Sequence, residues 1–197
     1  ALVQGELEQM YSGQHIQPYD ILADCLRPHV FPGCSVLEIG CASGYYYEIL
    51  EYLLNMRLDY TGADYSEHLI AMAKDYYPSV DFRVADGADL PFEDRQFHTA
   101  ISSSMLLHVP NYKEHMKETV RVADQLVVAH RTPICRARPT QYMKKMAYGV
   151  ETVEILFNES EFISDFSSNG LKLIHQIEYH AELQNDYYGA TYVFKKL

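Results

Sequence analysis

Residues 36–45, with the sequence VLEIGCASGY, constrain the fold of this chain more than any other segment. An aliphatic run that carries one acidic residue breaks into a loop of small residues, and a helix-like pattern follows. This order predicts a β-strand, a tight turn and a helix N-terminus, an arrangement that brings backbone amides to a ligand.

The spacing of small residues in this loop disfavours a dinucleotide as the ligand. A dinucleotide-binding turn requires glycine at three places: for the turn, for the approach of the pyrophosphate, and for the packing of the helix. Here the three places hold Gly40, Ala42 and Tyr45, while Gly44 comes one residue early. Because a tyrosine leaves little room for a pyrophosphate, the loop favours a ligand without one.

Composition narrows the classes of function. The chain has 197 residues, 48% hydrophobic and 22% charged, which is typical of one soluble α/β domain. Its net charge of −11 argues against a nucleic-acid partner, since such proteins usually carry a basic surface. No apolar run approaches the roughly 18–20 residues of a membrane span, and the first residues lack the features of a signal peptide. The four cysteines contain no C-x-x-C pair, so we expect reduced thiols and a cytoplasmic protein.

Strand-like and helix-like segments alternate along the chain. The patterns predict helices at 6–29 (interrupted near Gly13), 44–55, 66–76, 112–122 and 161–169. They predict strands at 35–39, 58–64, 81–85, 99–103, 125–130, 171–178 and 188–194. This order indicates a single α/β domain over residues 1–197. It is a doubly wound, mostly parallel, seven-stranded Rossmann-like sheet with an antiparallel C-terminal hairpin edge.

Polar residues follow the ends of three successive predicted strands. Asp64 ends the second strand, Asp86 follows the third, and Ser102, Ser103 and His108 lie at or just after the end of the fourth. Helix capping or an ordinary loop explains each of them singly. Together they point to a nucleoside site, because parallel strands bring their carboxyl ends to one rim of the sheet.

With these residues the chain resembles the class I S-adenosylmethionine-dependent methyltransferases, from about residue 33 to the C-terminus. The resemblance rests on Val36–Gly44, on Asp64 with the following Tyr-Ser-Glu, and on segments 85–92, 97–101, 107–109, 157–162 and 170–171. Two positions depart from the family pattern: Ala42 replaces the usual middle glycine, and His98 replaces the usual aspartate before the fourth strand.

The resemblance implies the cofactor S-adenosyl-L-methionine and no metal. It implies that Glu38 and the loop of Gly40, Cys41, Ala42 and Gly44 hold the methionine moiety. A second set is expected to bind the nucleoside: Asp64 binds the ribose, Tyr65 lies beside the adenine, and Asp86 accepts from the adenine amino group. The remaining members of this set are the backbone amides of Gly87 and Ala88 and the hydroxyls of Ser102 and Ser103. The chemistry agrees, because S-adenosylmethionine presents an ammonium, a carboxylate, a ribose and an adenine but no phosphate, and these residues offer carboxylates and backbone amides to those groups.

Catalytic and acceptor-binding residues follow from position. His108 is our first candidate for a general base and His130 is the second; a purely structural histidine explains either position as well. Tyr11 and Tyr19 are candidates for substrate contacts in an N-terminal helical lid, residues 1–32. An amphipathic helix that packs on the sheet accounts for the same pattern.

The segment 131–158 is predicted to be an acceptor-pocket insertion. Between Asp124 and Glu151 there is no acidic residue, yet the stretch holds five of the 16 basic residues: Arg131, Arg136, Arg138, Lys144 and Lys145. We hypothesise that Arg131, Arg136 and Arg138 bind an anionic or sugar-linked acceptor, since arginine binds oxyanions bidentately. A solvated basic loop is the alternative. A similarity of residues 130–133 and of Tyr148-Gly149 to methyltransferases found with polysaccharide-biosynthesis enzymes points the same way.

These observations predict a methyltransferase that acts on a small-molecule acceptor, as a monomer or homodimer, with no nucleic-acid or membrane partner. An NAD-dependent oxidoreductase, an aminopropyltransferase and a nucleoside-binding domain without catalysis are the competing interpretations. The loop sequence disfavours the first, and no acidic signature of the second is present.

Overall fold

The fold is described from a computed structural model, which defines residues 2–147 and 150–197. Six helices occupy these ranges: α1 Leu2–Tyr11, α2 Gln17–Leu26, α3 Tyr45–Leu54, α4 Glu67–Tyr76, α5 Tyr112–Val122 and α6 Glu159–Ser168. The strands are β1 Ser35–Ile39, β2 Asp59–Asp64, β3 Asp81–Val84, β4 Phe97–Ser103, β5 Ala123–Cys135, β6 Gln141–Ala147, β7 Val150–Asn158, β8 Leu171–Glu182 and β9 Tyr187–Lys196. Tyr148 and Gly149 lie outside the described residues. None of the described helices is long and apolar enough to cross a membrane.

The central sheet has the predicted doubly wound order. Strands β3, β2, β1, β4 and β5 are parallel neighbours in that order, β9 pairs antiparallel with β5, and β8 pairs antiparallel with β9. These seven strands are the predicted Rossmann-like sheet with its antiparallel hairpin edge. Strand order reverses between β1 and β4, where Ile39 pairs with Ala63 on one side and Ser102 on the other. The carboxyl ends of these strands therefore form one rim, the place where such sheets bind ligands.

Both faces of the sheet are buried, because alternate residues of each strand point to opposite sides. Val36 packs with Leu22 of α2 and Ile49 of α3 in one core. Leu37 packs with Met116 of α5 and Phe162 of α6 in the other. Strands covered on both faces are rich in consecutive apolar residues, as in Val36-Leu37 of β1 and Leu126–Ala129 of β5.

Two strands, β6 and β7, were not predicted. They form an antiparallel hairpin that joins the sheet where Ile134 and Cys135 of β5 pair with Phe157 and Asn158 of β7. Strand β5 consequently runs on to Cys135, past the predicted end at His130. The prediction of seven strands is correct for the central sheet, and the hairpin adds two strands within the expected insertion.

Candidate functional site

A tight loop between β1 and α3 builds the floor of the site. Gly40, Ala42 and Gly44 all have positive φ angles, of 82°, 50° and 79°. The amides of Gly40 and Cys41 both donate to the carbonyl of Ala63 at the end of β2, over 2.7 and 3.1 Å. The loop is therefore fixed to the strand that carries Asp64.

Asp64 ties the loop to the next helix. Its Oδ2 accepts from the amide of Ala42 over 3.0 Å, and its Oδ1 accepts from the amide of Ser66, the N-cap of α4, over 2.9 Å. The side chain is 6% exposed. Each carboxylate oxygen keeps a further lone pair, so Asp64 can still accept from vicinal hydroxyls.

Glu38 lies fully buried two residues before the loop. The Tyr60 hydroxyl donates to its Oε2, and its Oε1 has no hydrogen-bond partner within residues 2–147 and 150–197. Burial raises the pKa of Glu38 to about 8; the charge of Asp64 adds to this increase, and the Tyr60 hydrogen bond opposes it. A cationic group above the loop would give that oxygen a partner. The unpartnered acceptor at this end therefore suits an ammonium, which donates hydrogen bonds.

The third strand end supplies a second carboxylate. Asp86 is exposed, and its Oδ1 accepts from the amide of Ala88 over 2.9 Å. A Cβ at Gly87 would lie 2.3 Å from Nδ1 of the buried His115, so only glycine fits this turn. Nε2 of His115 is bonded to Ser102 Oγ over 3.1 Å, and thus Ser102 serves the core rather than the rim.

Tyr65 lies at the carboxyl end of β2, near the loop, whereas His98 lies near the start of β4, at the opposite end of the sheet. Tyr65 follows Asp64 and is 69% exposed, so its ring is available to a planar ligand. His98 lies near the start of β4, where its amide donates to Ser35 Oγ and its ring contacts Phe31. Its departure from the family pattern is therefore at the end of the sheet remote from the site.

An open cavity of about 650 Å³ continues from the loop toward the inserted hairpin. The candidate residues among its walls are Gly40, Ala42, Ser103, His108 and Arg131. Sequence reasoning missed the other contributors, which come from α2, α3, the segment after β4, β5, the β6–β7 hairpin and the final hairpin. They are Gln17, Pro18, Tyr45, Tyr46, Ser104, Met105, Leu107, Pro133, Lys145, Glu154, Tyr179, His180, Tyr187 and Gly189.

The two candidate histidines occupy different environments. His108 lines the cavity, and its Nδ1 lies 3.1 Å from the carbonyl oxygen of Val153 in β7. Because a carbonyl only accepts, Nδ1 carries the proton and Nε2 presents its lone pair. His130 is instead 1% exposed, with its ring nitrogens bonded to the Tyr46 hydroxyl and to Thr191 Oγ1. Burial, with a smaller effect from Arg131, lowers the pKa of His130 to about 3.

The three candidate arginines, like the two histidines, occupy different environments. Arg136 pairs with Glu159 over 2.6 Å and with Glu178, and its guanidinium lies 4.5 Å from the ring centroid of Tyr188. Arg138 lies 3.8 Å from the carboxylate of Asp186. Both arginines hold the final hairpin and α6 in place, whereas Arg131 faces the cavity.

The N-terminal tyrosines do not line the cavity. Tyr11 donates to Glu48 of α3 and packs edge-on against Tyr52, while Tyr19 is 2% exposed and donates to Glu6. The substrate contacts expected at Tyr11 and Tyr19 therefore stay predictions, and the contacts seen here are structural. Their hydroxyls are used to fasten α1 to α2 and α3.

Several known proteins that resemble this chain are methyltransferases. The family described as "Methyltransferase domain" matches residues 37–125. A tRNA (carboxymethyluridine(34)-5-O)-methyltransferase of Saccharomyces cerevisiae is 29% identical over 119 residues, 60% of this chain and 40% of that protein. A demethylmenaquinone methyltransferase of Chlorobaculum parvum is 25% identical over 125 residues, 60% of this chain and 51% of that protein. The chain thus spans about half or less of these curated relatives.

Solved structures share the fold over nearly the whole chain. Magnesium protoporphyrin IX methyltransferase from Synechocystis, solved with bound S-adenosylmethionine, has a TM-score of 0.66 at 17% identity, covering 92% of this chain and 79% of that one. An S-adenosylmethionine-dependent methyltransferase of Methanosarcina mazei has a TM-score of 0.70 at 17% identity, covering 87% and 96%. These likenesses concern the fold.

Proposed function

We propose that the chain is a class I S-adenosylmethionine-dependent methyltransferase, which transfers a methyl group from this cofactor to a small-molecule acceptor. The observation that carries the proposal is the cavity that joins the Gly40–Gly44 loop to His108. Gly40 and Ala42 of the candidate cofactor loop and a candidate base thus line one continuous space.

The chain's residues fit the cofactor at both of its ends. The unpartnered Oε1 of Glu38 and the backbone of the loop suit the ammonium and carboxylate of the methionine moiety. Asp64, already oriented by the amides of Ala42 and Ser66, accepts from the ribose hydroxyls. Asp86 and the exposed ring of Tyr65 serve the adenine.

In the proposed reaction the bound cofactor supplies a methyl group activated by a sulfonium. Transfer by in-line displacement requires mainly that the acceptor atom be aligned and that water be excluded. His108 is placed to accept the proton of an acceptor hydroxyl at Nε2, because its Nδ1 is occupied by the Val153 carbonyl. His130 positions Tyr46 at the cavity wall and takes no part in proton transfer.

We propose a small molecule, anionic or sugar-linked, rather than a nucleic acid as the acceptor. The net charge of −11 supports this choice against the tRNA that one relative modifies. Arg131 supports the anionic character, because its guanidinium borders the cavity. Demethylmenaquinone methyltransferases are also among the relatives, so related domains occur in enzymes named for an acceptor that is not a nucleic acid.

Calorimetric titration with S-adenosylmethionine, S-adenosylhomocysteine and NAD tests the cofactor. We expect binding of the two adenosyl ligands and none of NAD; binding of NAD alone would overturn the proposal. Once an acceptor is found by screening anionic sugars and nucleotides, His108→Gln is expected to lower kcat by about 10²–10⁴ with unchanged S-adenosylhomocysteine affinity. His68→Gln, on the exposed side of α4, is the matched control. Equal activity of both variants would exclude His108 as the base.

A further inference from the structure

Arg131 occupies a strained position within a strand. Its φ angle is +56°, in the left-handed region that residues with a Cβ rarely adopt. The pairing of β5 with β9 shifts register between Ala129 and Thr132, so Arg131 lies in a β-bulge. Bulges redirect a side chain at the cost of local pairing, and they are frequent beside active sites. Here the bulge brings the guanidinium to the cavity.

The groups around Arg131 leave its charge uncompensated. The phenols of Tyr46, Tyr45 and Tyr179 lie close by and raise the pKa of Arg131, against the opposing effect of burial. Burial raises the pKa of Tyr46, and raises that of Tyr179 to about 12, so both remain neutral at pH 7. Within residues 2–147 and 150–197 no carboxylate forms an ion pair with Arg131.

The other basic residues of the segment contrast with this arrangement. Arg136 and Arg138 are paired with carboxylates of α6 and the final hairpin. Lys144 and Lys145 are paired with Glu151 and Glu154 across the β6–β7 hairpin. Arg131 is an exposed cation in a bulge at the cavity wall, beside neutral phenols, and the Glu154 carboxylate in the same wall is paired with Lys145. This arrangement suits an oxyanion, since both the guanidinium and the phenols donate hydrogen bonds.

We propose that Arg131, with the Tyr46 and Tyr179 hydroxyls beside it, binds an oxyanion in the cavity: a carboxylate or a phosphate. The inference deepens the proposed function and rests on it for the source of the anion. That source is either the carboxylate of the cofactor's methionine moiety or an anionic group of the acceptor. In both cases the guanidinium fixes one end of a reactant near the loop.

Binding measurements separate the two sources without a known acceptor. Affinities of S-adenosylhomocysteine and of 5′-methylthioadenosine, which lacks the amino-acid portion, are measured for the wild type and Arg131→Gln. Inorganic phosphate is then titrated into the protein saturated with S-adenosylhomocysteine. Arg95→Gln, at a surface pair with Asp124, is the control. Arg131→Lys and the thermal midpoint of each variant exclude loss of the fold as a cause.

We expect Arg131→Gln to weaken one of two binding steps by about tenfold or more, as for a charged hydrogen bond. Weaker S-adenosylhomocysteine with unchanged methylthioadenosine identifies the cofactor carboxylate. Unchanged S-adenosylhomocysteine with loss of phosphate binding identifies the acceptor group. No effect on either step, in a folded variant, overturns the oxyanion site. If the wild type binds neither adenosyl compound the proposed function fails, and phosphate binding to the free protein still tests Arg131 by itself.

Discussion

Replacing Asp64 by asparagine tests whether one carboxylate holds both the loop and the cofactor. The variant keeps the shape of the side chain, but only one of its two terminal atoms accepts a hydrogen bond. Either the Ala42 or the Ser66 amide must then face an amide NH₂ group. Since the side chain is 6% exposed, water replaces the lost acceptor poorly.

The magnitude follows from the two contacts. A hydrogen bond to a charged group contributes about 1.5–3 kcal/mol, and a buried donor left without a partner costs about 1–3 kcal/mol. A net loss of about 2 kcal/mol lowers the midpoint of thermal unfolding by about 4–8 °C for a chain of this size. The affinity for S-adenosylhomocysteine is expected to fall at least tenfold, because the ribose hydroxyls lose an acceptor.

Differential scanning fluorimetry and calorimetric titration measure the two effects. Asp75→Asn is the matched control, as Asp75 is an exposed carboxylate on the same helix that Asp64 helps to cap. A variant with an unchanged midpoint would show that the loop does not depend on the carboxylate. An unchanged affinity would remove Asp64 from the proposed ribose site.

Three further predictions concern stability. Ala42 has a φ angle of 50°, which glycine adopts without strain, so Ala42→Gly is expected to raise the free energy of unfolding by up to about 1 kcal/mol. The thermal midpoint should then rise by about 2–4 °C, and a lower midpoint contradicts the prediction. Arg136→Met removes a partly exposed ion pair with Glu159 and is expected to cost about 1 kcal/mol in urea unfolding, with unchanged S-adenosylhomocysteine affinity. Burial lowers the pKa of His130 to about 3 and of His115 to about 4, so the unfolded chain takes up protons first as the pH falls. The free energy of unfolding should then decrease below about pH 6.5 by about 1.4 kcal/mol per pH unit for each histidine, and His130→Gln should reduce that slope.

The fold around the candidate cofactor site was predictable because its signals are local. The strand, loop and helix at residues 35–54 are neighbours in sequence, and Asp64 and Asp86 each end a recognisable strand. Parallel pairing then brings these ends to one rim by geometry alone. The ends of α4 and α5 were close to the prediction for the same reason.

The acceptor half was not predictable to the same degree. The side chains of β6 are exposed or half-buried from Gln141 to Met146, so this strand has no alternation of apolar and polar residues to reveal it. Arg136 and Arg138 find their carboxylates at Glu159, Glu178 and Asp186, which are distant in sequence. Local composition therefore showed a basic segment, and only tertiary pairing shows that most of its charge is neutralised.

Burial separates residues that look equivalent in sequence. His108 and His130 both follow a strand end in the predicted scheme. Strand β5 continues through His130 and pairs it with Ser103, which places its ring in the core. A strand that runs five residues longer than its apolar pattern suggests is thus sufficient to exchange a candidate base for a structural histidine.

The attachment of the β6–β7 hairpin bears on how this domain can change through evolution. Among residues 2–147 and 150–197, two residue pairs join the hairpin to the sheet, at Ile134–Phe157 and Cys135–Asn158. The loop, Asp64 and Asp86 all lie outside it. Evolution can therefore lengthen, shorten or replace this hairpin while the candidate nucleoside site stays unchanged. New acceptors then become accessible without a new fold.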